Sequence, residues 1–340
     1  MLLMVTNRQK TKTGYGDEEQ PNRRFDYLYD YNHLPMGQDG FNQTGKAGFE
    51  AALLKELIRL RDEQGINTPK IGFYIHGYNN DFRSSLDELC DLEKNLGAAM
   101  GYPPVIIGFS WPSTGKVANY LSDREEVRDS IGAFTRFLLD INEFVERNAR
   151  TCFATTYCIA HSMGNYLLRK GMEYLSDYLG NPAGRMLFAE TLLLAPDLAS
   201  QDIQQYGKAS YICDFSRRVH VYYSHHDRAL KASSAKRFGG NRLGRHGADD
   251  YSNLPNNVIV INANQYANSA SSSVYQDRTG APVSVHSCYK YHPAILADIV
   301  QVMSSVDRQM LLKREPIPTE VNAQNPVIPA PFYKNHYRLT

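Results

Sequence analysis

The segment TTYCIAHSMGNYLLRKGM combines a β-prone run, the pentapeptide Ala160-His161-Ser162-Met163-Gly164 and a helix-compatible stretch. This is the pattern G-x-S-x-G with Ala160 in the first glycine position. The turn from strand to helix is so sharp that residues two before and two after the serine crowd each other, so positions 160 and 164 must be small. Such a turn lifts the Ser162 hydroxyl above a sheet and leaves the main-chain N–H of Met163 at a helix N-terminus. There it can stabilise an oxyanion. An ordinary serine helix cap also suits a strand-to-helix junction, so the pentapeptide needs partners elsewhere in the chain.

A serine nucleophile requires a base, and the base requires an acid that orients it. Where the serine sits in such an elbow, the chain order is Ser, then Asp or Glu, then His. Asp227, at the end of HVYYSHHD, and His286, in SVHSCYKYH, follow Ser162 in that order. His292 and His246 compete with His286 for the role of base. Asp197, after the run TLLLA, competes with Asp227 for the acid, and chain order alone does not choose. A second oxyanion donor should lie after an earlier strand. The run IGFYIHGYNN ends in His76-Gly77, where glycine allows close approach of backbone to substrate, and the main-chain N–H of Tyr78 is the expected donor. A plain turn would also suit HGYNN. His76 and Gly77 are candidate substrate contacts, as are Trp111 in FSWPS, which reads first as packing beside the site, and Arg242. Arg237, Arg242 and Arg245 lie among glycines in RFGGNRLGRHG, which reads as a solvated connection or, alternatively, as a site for an anionic substrate group.

These residues need a frame, and the apolar pattern supplies one. Six apolar runs each end in polar or glycine-bearing residues: Ile71–Ile75, Val105–Phe109, Ala154–Ala160, Thr191–Ala195, Val219–Tyr223 and Val258–Ile261. Helix-like stretches alternate with them, among them Arg128–Val145, Asn165–Leu175 and a periodic segment from Phe49 to Gly65. That alternation predicts an α/β fold, a mainly parallel sheet with helices on both faces. In such sheets chemistry gathers beyond the carboxyl ends of the strands, where the candidate residues fall. Residues 1–48 read as an irregular N-terminal segment with a possible first strand over residues 1–6. Residues 49–312 read as one catalytic domain, and 313–340 as a proline-rich extended tail over the surface.

HGYNN, FSWPS, AHSMGN, LLAPDL, YYSHHDRAL and Arg242-Leu243-Gly244 recur in the order seen in a bacterial α/β-hydrolase family of unknown function, which the chain resembles over roughly residues 70–300. The resemblance implies the α/β-hydrolase fold, serine esterase-like or lipase-like chemistry and a triad of Ser162, Asp227 and His286. It implies no substrate. The expected activity is therefore hydrolysis of a carboxylic ester, of a small molecule or a lipid, without a cofactor. The same machinery serves amides, thioesters and peptides, and a catalytically silent binding protein on this fold is the alternative of another class.

Composition narrows the rest. The 340 residues carry 37 Lys+Arg against 36 Asp+Glu, without the basic excess of a nucleic-acid binder. Cys90, Cys152, Cys158, Cys213 and Cys288 are too sparse for a disulfide framework, and read as buried thiols of a reducing compartment. MLLMVTNRQK is too briefly apolar for a signal peptide and no run could span a bilayer, so a cytoplasmic location is expected. GFNQTGKA nearly spells a phosphate-binding loop, but Ala47 lacks the hydroxyl needed for Mg²⁺. His225, His226, Asp227, His286 and His292 lack the tight spacing of a metal site, and none is expected. The oligomeric state cannot be read from these residues.

Overall fold

Apolar runs too continuous for a half-exposed strand must be buried on both faces, and the chain meets this demand with one large sheet. The computed structural model describes residues 1–31, 40–114, 120–149, 156–179, 186–236, 240–318 and 332–340. In chain order the elements are β1 (Leu2–Thr6), β2 (Arg8–Thr11), β3 (Gly14–Glu19), β4 (Asp26–Asp30), α1 (Gly45–Gln64), β5 (Ile71–Ile75), α2 (Phe82–Met100), β6 (Val105–Ser110) and α3 (Tyr120–Asn148). They continue with β7 (Thr156–His161), α4 (Gly164–Leu179), β8 (Phe188–Leu194), α5 (Ser210–Asp214), β9 (Ser216–Tyr223), α6 (Arg228–Lys236) and α7 (Leu243–His246). The last are β10 (Val258–Asn262), α8 (Ser269–Ser272), α9 (Pro293–Met303), β11 (Arg314–Pro318) and β12 (Phe332–Leu339).

The ten-stranded sheet has the order β11-β12-β10-β9-β8-β7-β5-β6-β1-β4. Its two edge strands, β4 and β11, are antiparallel to their neighbours, and every other pairing is parallel. Successive residues of a strand serve opposite faces. Leu3, Val5, Phe73 and Phe109 pack with Leu53, Phe134, Phe137 and Leu167 of α1, α3 and α4. Leu2, Met4, Tyr74 and Ile159 pack with Leu86, Leu89, Ile295 and Ile299 of α2 and α9. Helices thus cover both faces, as the alternation predicts.

Two expectations are corrected. Residues 1–48 hold more than one possible strand: among the described residues β3 pairs with β2, β4 closes one edge of the sheet against β1, and α1 begins at Gly45. The short run DYLYD has no helical or turn signal of its own and is a strand through its long-range pairing with β1. The C-terminal stretch does not merely run over the surface, because β11 and β12 extend the sheet beyond β10. Pro316 and Pro318 sit in the edge strand β11, where a missing N–H is tolerated and the register shifts between them. Pro326, Pro329 and Pro331 lie outside the described residues, as does Cys152. Cys158, Cys213 and Cys288 are buried thiols and Cys90 is half-buried.

The tail is tied down by charge. Arg314 donates to both carboxylate oxygens of Asp298 at 2.7 Å, Tyr222 donates to the same carboxylate at 2.6 Å, and both charged side chains are 2% exposed. Removing one partner of such a pair strands the other charge in the core. Arg314→Met should therefore lower the unfolding free energy by about 3–5 kcal/mol in urea titrations, and adding Asp298→Asn should recover much of the loss.

Candidate active site

Strand β7 ends at His161 and α4 begins at Gly164, so two residues make the whole turn. Ser162 takes φ 53°, a left-handed conformation costly for a residue with a Cβ. Neighbouring strands hold it there. Its N–H donates to Leu194 O at 3.0 Å, its carbonyl accepts from Asp197 N at 3.1 Å, and Asn165 Nδ2 donates to the carbonyls of Ala160 and Ser162 at 3.0 Å each. Gly164 is required for a reason beyond crowding against position 160. A Cβ there would lie 2.5 Å from Ile75 O and 2.6 Å from His76 O of the adjacent β5 segment. Gly77 is equally constrained, since its Cβ would meet Ser162 Cβ at 2.9 Å.

Asp227 and His286 come together from the loops after β9 and β10. His286 Nδ1 donates to Asp227 Oδ2 at 2.6 Å, and Asp227 Oδ1 accepts from Leu230 N at 2.9 Å. Arg245 donates to the Asp227 carbonyl at 2.5 Å, fixing the loop from the other side. Asp227 is fully buried, which opposes its ionisation, but the charge and hydrogen bond of His286 outweigh this and hold its carboxyl below the ordinary range. Burial likewise disfavours the His286 imidazolium. Asp227, by charge and hydrogen bond, and then the charge of Asp197 outweigh it, leaving His286 above the usual imidazole value.

Ser162 and His286 line one cavity of about 370 Å³, together with Tyr78, Asn80, Glu88, Tyr120, His161, Asp197, Leu230 and Ser233. No hydrogen bond joins the Ser162 hydroxyl to His286 among the described residues. The amide of Met163 has no acceptor among the described residues, and its side chain is buried in the core. Clefts of about 780 Å³ around Lys46 and 610 Å³ around Tyr102 are roomier but contain neither Ser162 nor His286.

The other anticipated residues take different places. His292 caps α9, accepting from Ala294 N at 3.2 Å, and His246 accepts from Arg242 N at 3.3 Å; neither lines the cavity. Asp197 lines it but has no hydrogen bond to His286. Its Oδ2 accepts from Tyr120 at 2.6 Å and its Oδ1 from Ser233 at 2.7 Å.

The candidate substrate contacts lie outside the cavity lining, and Trp111 packs beside the site as first read. Trp111 is fully buried, stacked on His76 with its indole N–H on His76 O at 3.0 Å. His76 is itself buried, and burial pushes its imidazole down to about 3. Arg242 is 2% exposed, with Nε 3.7 Å from Asp197 Oδ1, so Arg242, Leu243 and Gly244 are packed rather than solvated, while Gly240 and Asn241 are exposed and Arg237 lies outside the described residues. Gly77 acts by closeness to Ser162. None of these four lines the cavity. Sequence reasoning missed Glu88, Tyr120, His161 and Ser233, whose signals are ordinary helix or motif residues until the fold assembles them. Among the described residues no group of three or more His, Cys, Asp or Glu is placed to hold a metal ion, and no helix is long and apolar enough to cross a membrane.

An NMR titration tests the electrostatics. His286 should titrate above the ordinary ~6.5, and in Asp227→Asn, with burial opposed only by the charge of Asp197, it should fall below it. The linked stability has a definite sign. The raised His286 value stabilises fully below ~6.5 and the gain is lost as pH rises through its folded pKa, while the Asp227 contribution is lost as pH falls below ~3.9.

Several known proteins are similar to this chain. An uncharacterized protein of the cyanobacterium Nostoc sp. is 31% identical over 154 residues, 37% of this chain and 38% of that relative's length. Aspergillus fumigatus lipase B is 12% identical, with a TM-score of 0.39 over 71% of this chain and 53% of the lipase. Legionella pneumophila phospholipase PlaB is 15% identical, with a TM-score of 0.27 over 62% of this chain and 41% of the phospholipase. Likenesses this distant say nothing about what the chain acts on. The family model does bear on identity. It covers residues 51–273, well over half of the chain and most of the sheet with its elbow, and the protein belongs to the alpha/beta hydrolases of unknown function (DUF900).

Proposed function

We propose that the protein is a serine hydrolase that cleaves a carboxylic ester through an acyl-enzyme. The observation that carries this reading is the 2.6 Å bond of His286 Nδ1 to Asp227, made beside the cavity into which the Ser162 elbow projects. Ser162 Oγ attacks the ester carbonyl carbon while its proton passes to His286 Nε2. The carbonyl electron pair moves onto oxygen, and the main-chain N–H groups of Met163 and Tyr78 receive the oxyanion. Collapse of the intermediate breaks the bond to the alcohol, which leaves with the proton held by His286. Water then attacks the acyl-enzyme with His286 again as base, releasing the acid and restoring Ser162. Asp227 fixes the tautomer with hydrogen on Nδ1 and stabilises the imidazolium. Nothing in this scheme requires a cofactor. Tyr78, Tyr120, Ala229, Leu230 and Ala232 offer apolar surface for an acyl chain, and the cavity suits a small or medium ester.

Hydrolysis of p-nitrophenyl esters of increasing chain length, paired with labelling by a fluorophosphonate, tests this reading. Ser162→Ala should lose labelling and at least ~10³-fold in kcat while its circular dichroism stays unchanged. Asp227→Asn should lose ~10²–10⁴-fold in kcat at near-normal KM. Asp197→Asn should cost less than about tenfold, because it has no hydrogen bond to His286. Labelling that persists in Ser162→Ala, or an Asp197→Asn more crippled than Asp227→Asn, would overturn the assignment of that residue.

A further inference from the structure

His286 sits in no regular element, and Asp227 grips only one atom of its ring. A ring held at Nδ1 alone can still swing about that bond, so its backbone must be held as well. The holding group is His161, the last residue of β7. Its Nε2 lies 2.9 Å from the His286 carbonyl oxygen, which can only accept, so Nε2 carries the proton and donates. The two rings lie 4.8 Å apart between centroids. His161 is 3% exposed, and burial pushes its imidazole down to about 3, so the ring is neutral with a bare Nδ1. That Nδ1 has no hydrogen bond among the described residues. It faces Glu88 Oε1 at 3.5 Å, and a Cβ on Gly77 would stand 3.2 Å from it.

Glu88, on α2, ties the remaining pieces. Its Oε1 accepts from Lys290, which follows His286 in the 3-10 turn Cys288–Lys290, and its Oε2 accepts from Asn80 Nδ2 at 3.2 Å. Asn95, further along α2, donates to the Lys290 carbonyl at 2.8 Å. Two segments that chain order leaves far apart therefore meet on one carboxylate, the loop after β5 and the loop bearing His286, and the end of β7 lies directly beside it.

We infer that His161 and Glu88 are positioning residues, a latch that holds the His286 backbone and the Tyr78–Asn80 loop in fixed relation to Ser162. The kinetic part of its test rests on the serine hydrolase reading above. The latch acts through the His286 carbonyl and through Asn80, and neither residue exchanges a proton with substrate. His161→Phe keeps ring volume and removes the donor, whereas His161→Gln restores an N–H donor. In Glu88→Gln/Lys290→Met both charges go together, so no buried charge is stranded.

The experiment measures kcat and KM per active site titrated with fluorophosphonate. In parallel, the low-field Nδ1 proton resonance of His286 is recorded in a Ser162→Ala background, where no turnover is needed. His161→Phe should lower kcat by ~10- to 100-fold at unchanged KM, and His161→Gln should recover to within about threefold of the parent. The resonance should be lost to exchange in His161→Phe and kept in His161→Gln, and Glu88→Gln/Lys290→Met should slow kcat in the same direction. A purely structural role would change the number of titrated sites but not kcat per site. A His161→Phe variant with parental kcat and resonance, or a His161→Gln variant as impaired as His161→Phe, overturns the latch. If the resonance responds as expected in a chain that hydrolyses no ester, the ester reading falls and the latch stands.

Discussion

The closeness of the Ser162 elbow to strand β5 governs everything else at the site. Gly164 leaves no room for a methyl group against the carbonyls of Ile75 and His76, and Gly77 leaves none against Ser162. This contact puts the loop after β5 beside the serine, and the proposed reaction uses that nearness to bring the amides of Met163 and Tyr78 to one oxyanion. Within the two-residue turn Ser162 sits at φ 53°, a conformation that costs on the order of 1–3 kcal/mol. The bonds from Ser162 N to Leu194 O, from Asp197 N to Ser162 O and from Asn165 to the turn carbonyls offset that cost. Strand β8 is thus as necessary to the elbow as the residues that compose it.

The second constraint is electrostatic. The carboxyl ends of the parallel strands gather ionisable groups where water is scarce, and an isolated charge there is prohibitively costly. Each is accordingly matched. Asp227 meets His286, Glu88 meets Lys290, and Asp197 meets two hydroxyls with Arg242 behind them. These matched groups join loops that share no secondary structure, so the arrangement that keeps buried charges tolerable also fixes the geometry of the cavity.

Much of this was legible in the sequence, because strands buried on both faces appear as unbroken apolar runs. Ile71–Ile75 coincides with β5, and the runs before SWPS, SHHD and NANQ lie within β6, β9 and β10. Edge strands were not legible. Asp26–Asp30 and Arg314–Pro318 carry no strong alternation, and they become strands only because β1 and β12 offer them partners. At the site, the pentapeptide announces itself through a local steric rule, and order along the chain narrows the acid and the base. Glu88, Tyr120 and Ser233 could not be singled out, since each belongs to a helix whose pattern is already explained by packing. His161 stood in plain view beside Ser162, but its role depends on a carbonyl 125 residues away.

The choice between two aspartates shows where sequence order stops deciding and geometry begins. Asp197 and Asp227 end adjacent strands, β8 and β9, and both are buried. They differ in what occupies their oxygens. Tyr120 and Ser233 take both oxygens of Asp197, so its carboxylate shapes a wall and has no lone pair turned to the imidazole at hydrogen-bond range. Asp227 spends one oxygen on the Leu230 amide and turns the other to His286. Asp197 is not inert, because its charge adds to that of Asp227 in raising the His286 value. In the proposed reaction the imidazolium formed as Ser162 attacks is then stabilised by one carboxylate through contact and by a second through space. Arg242, 3.7 Å from Asp197 and absent from the cavity lining, offsets part of that second charge.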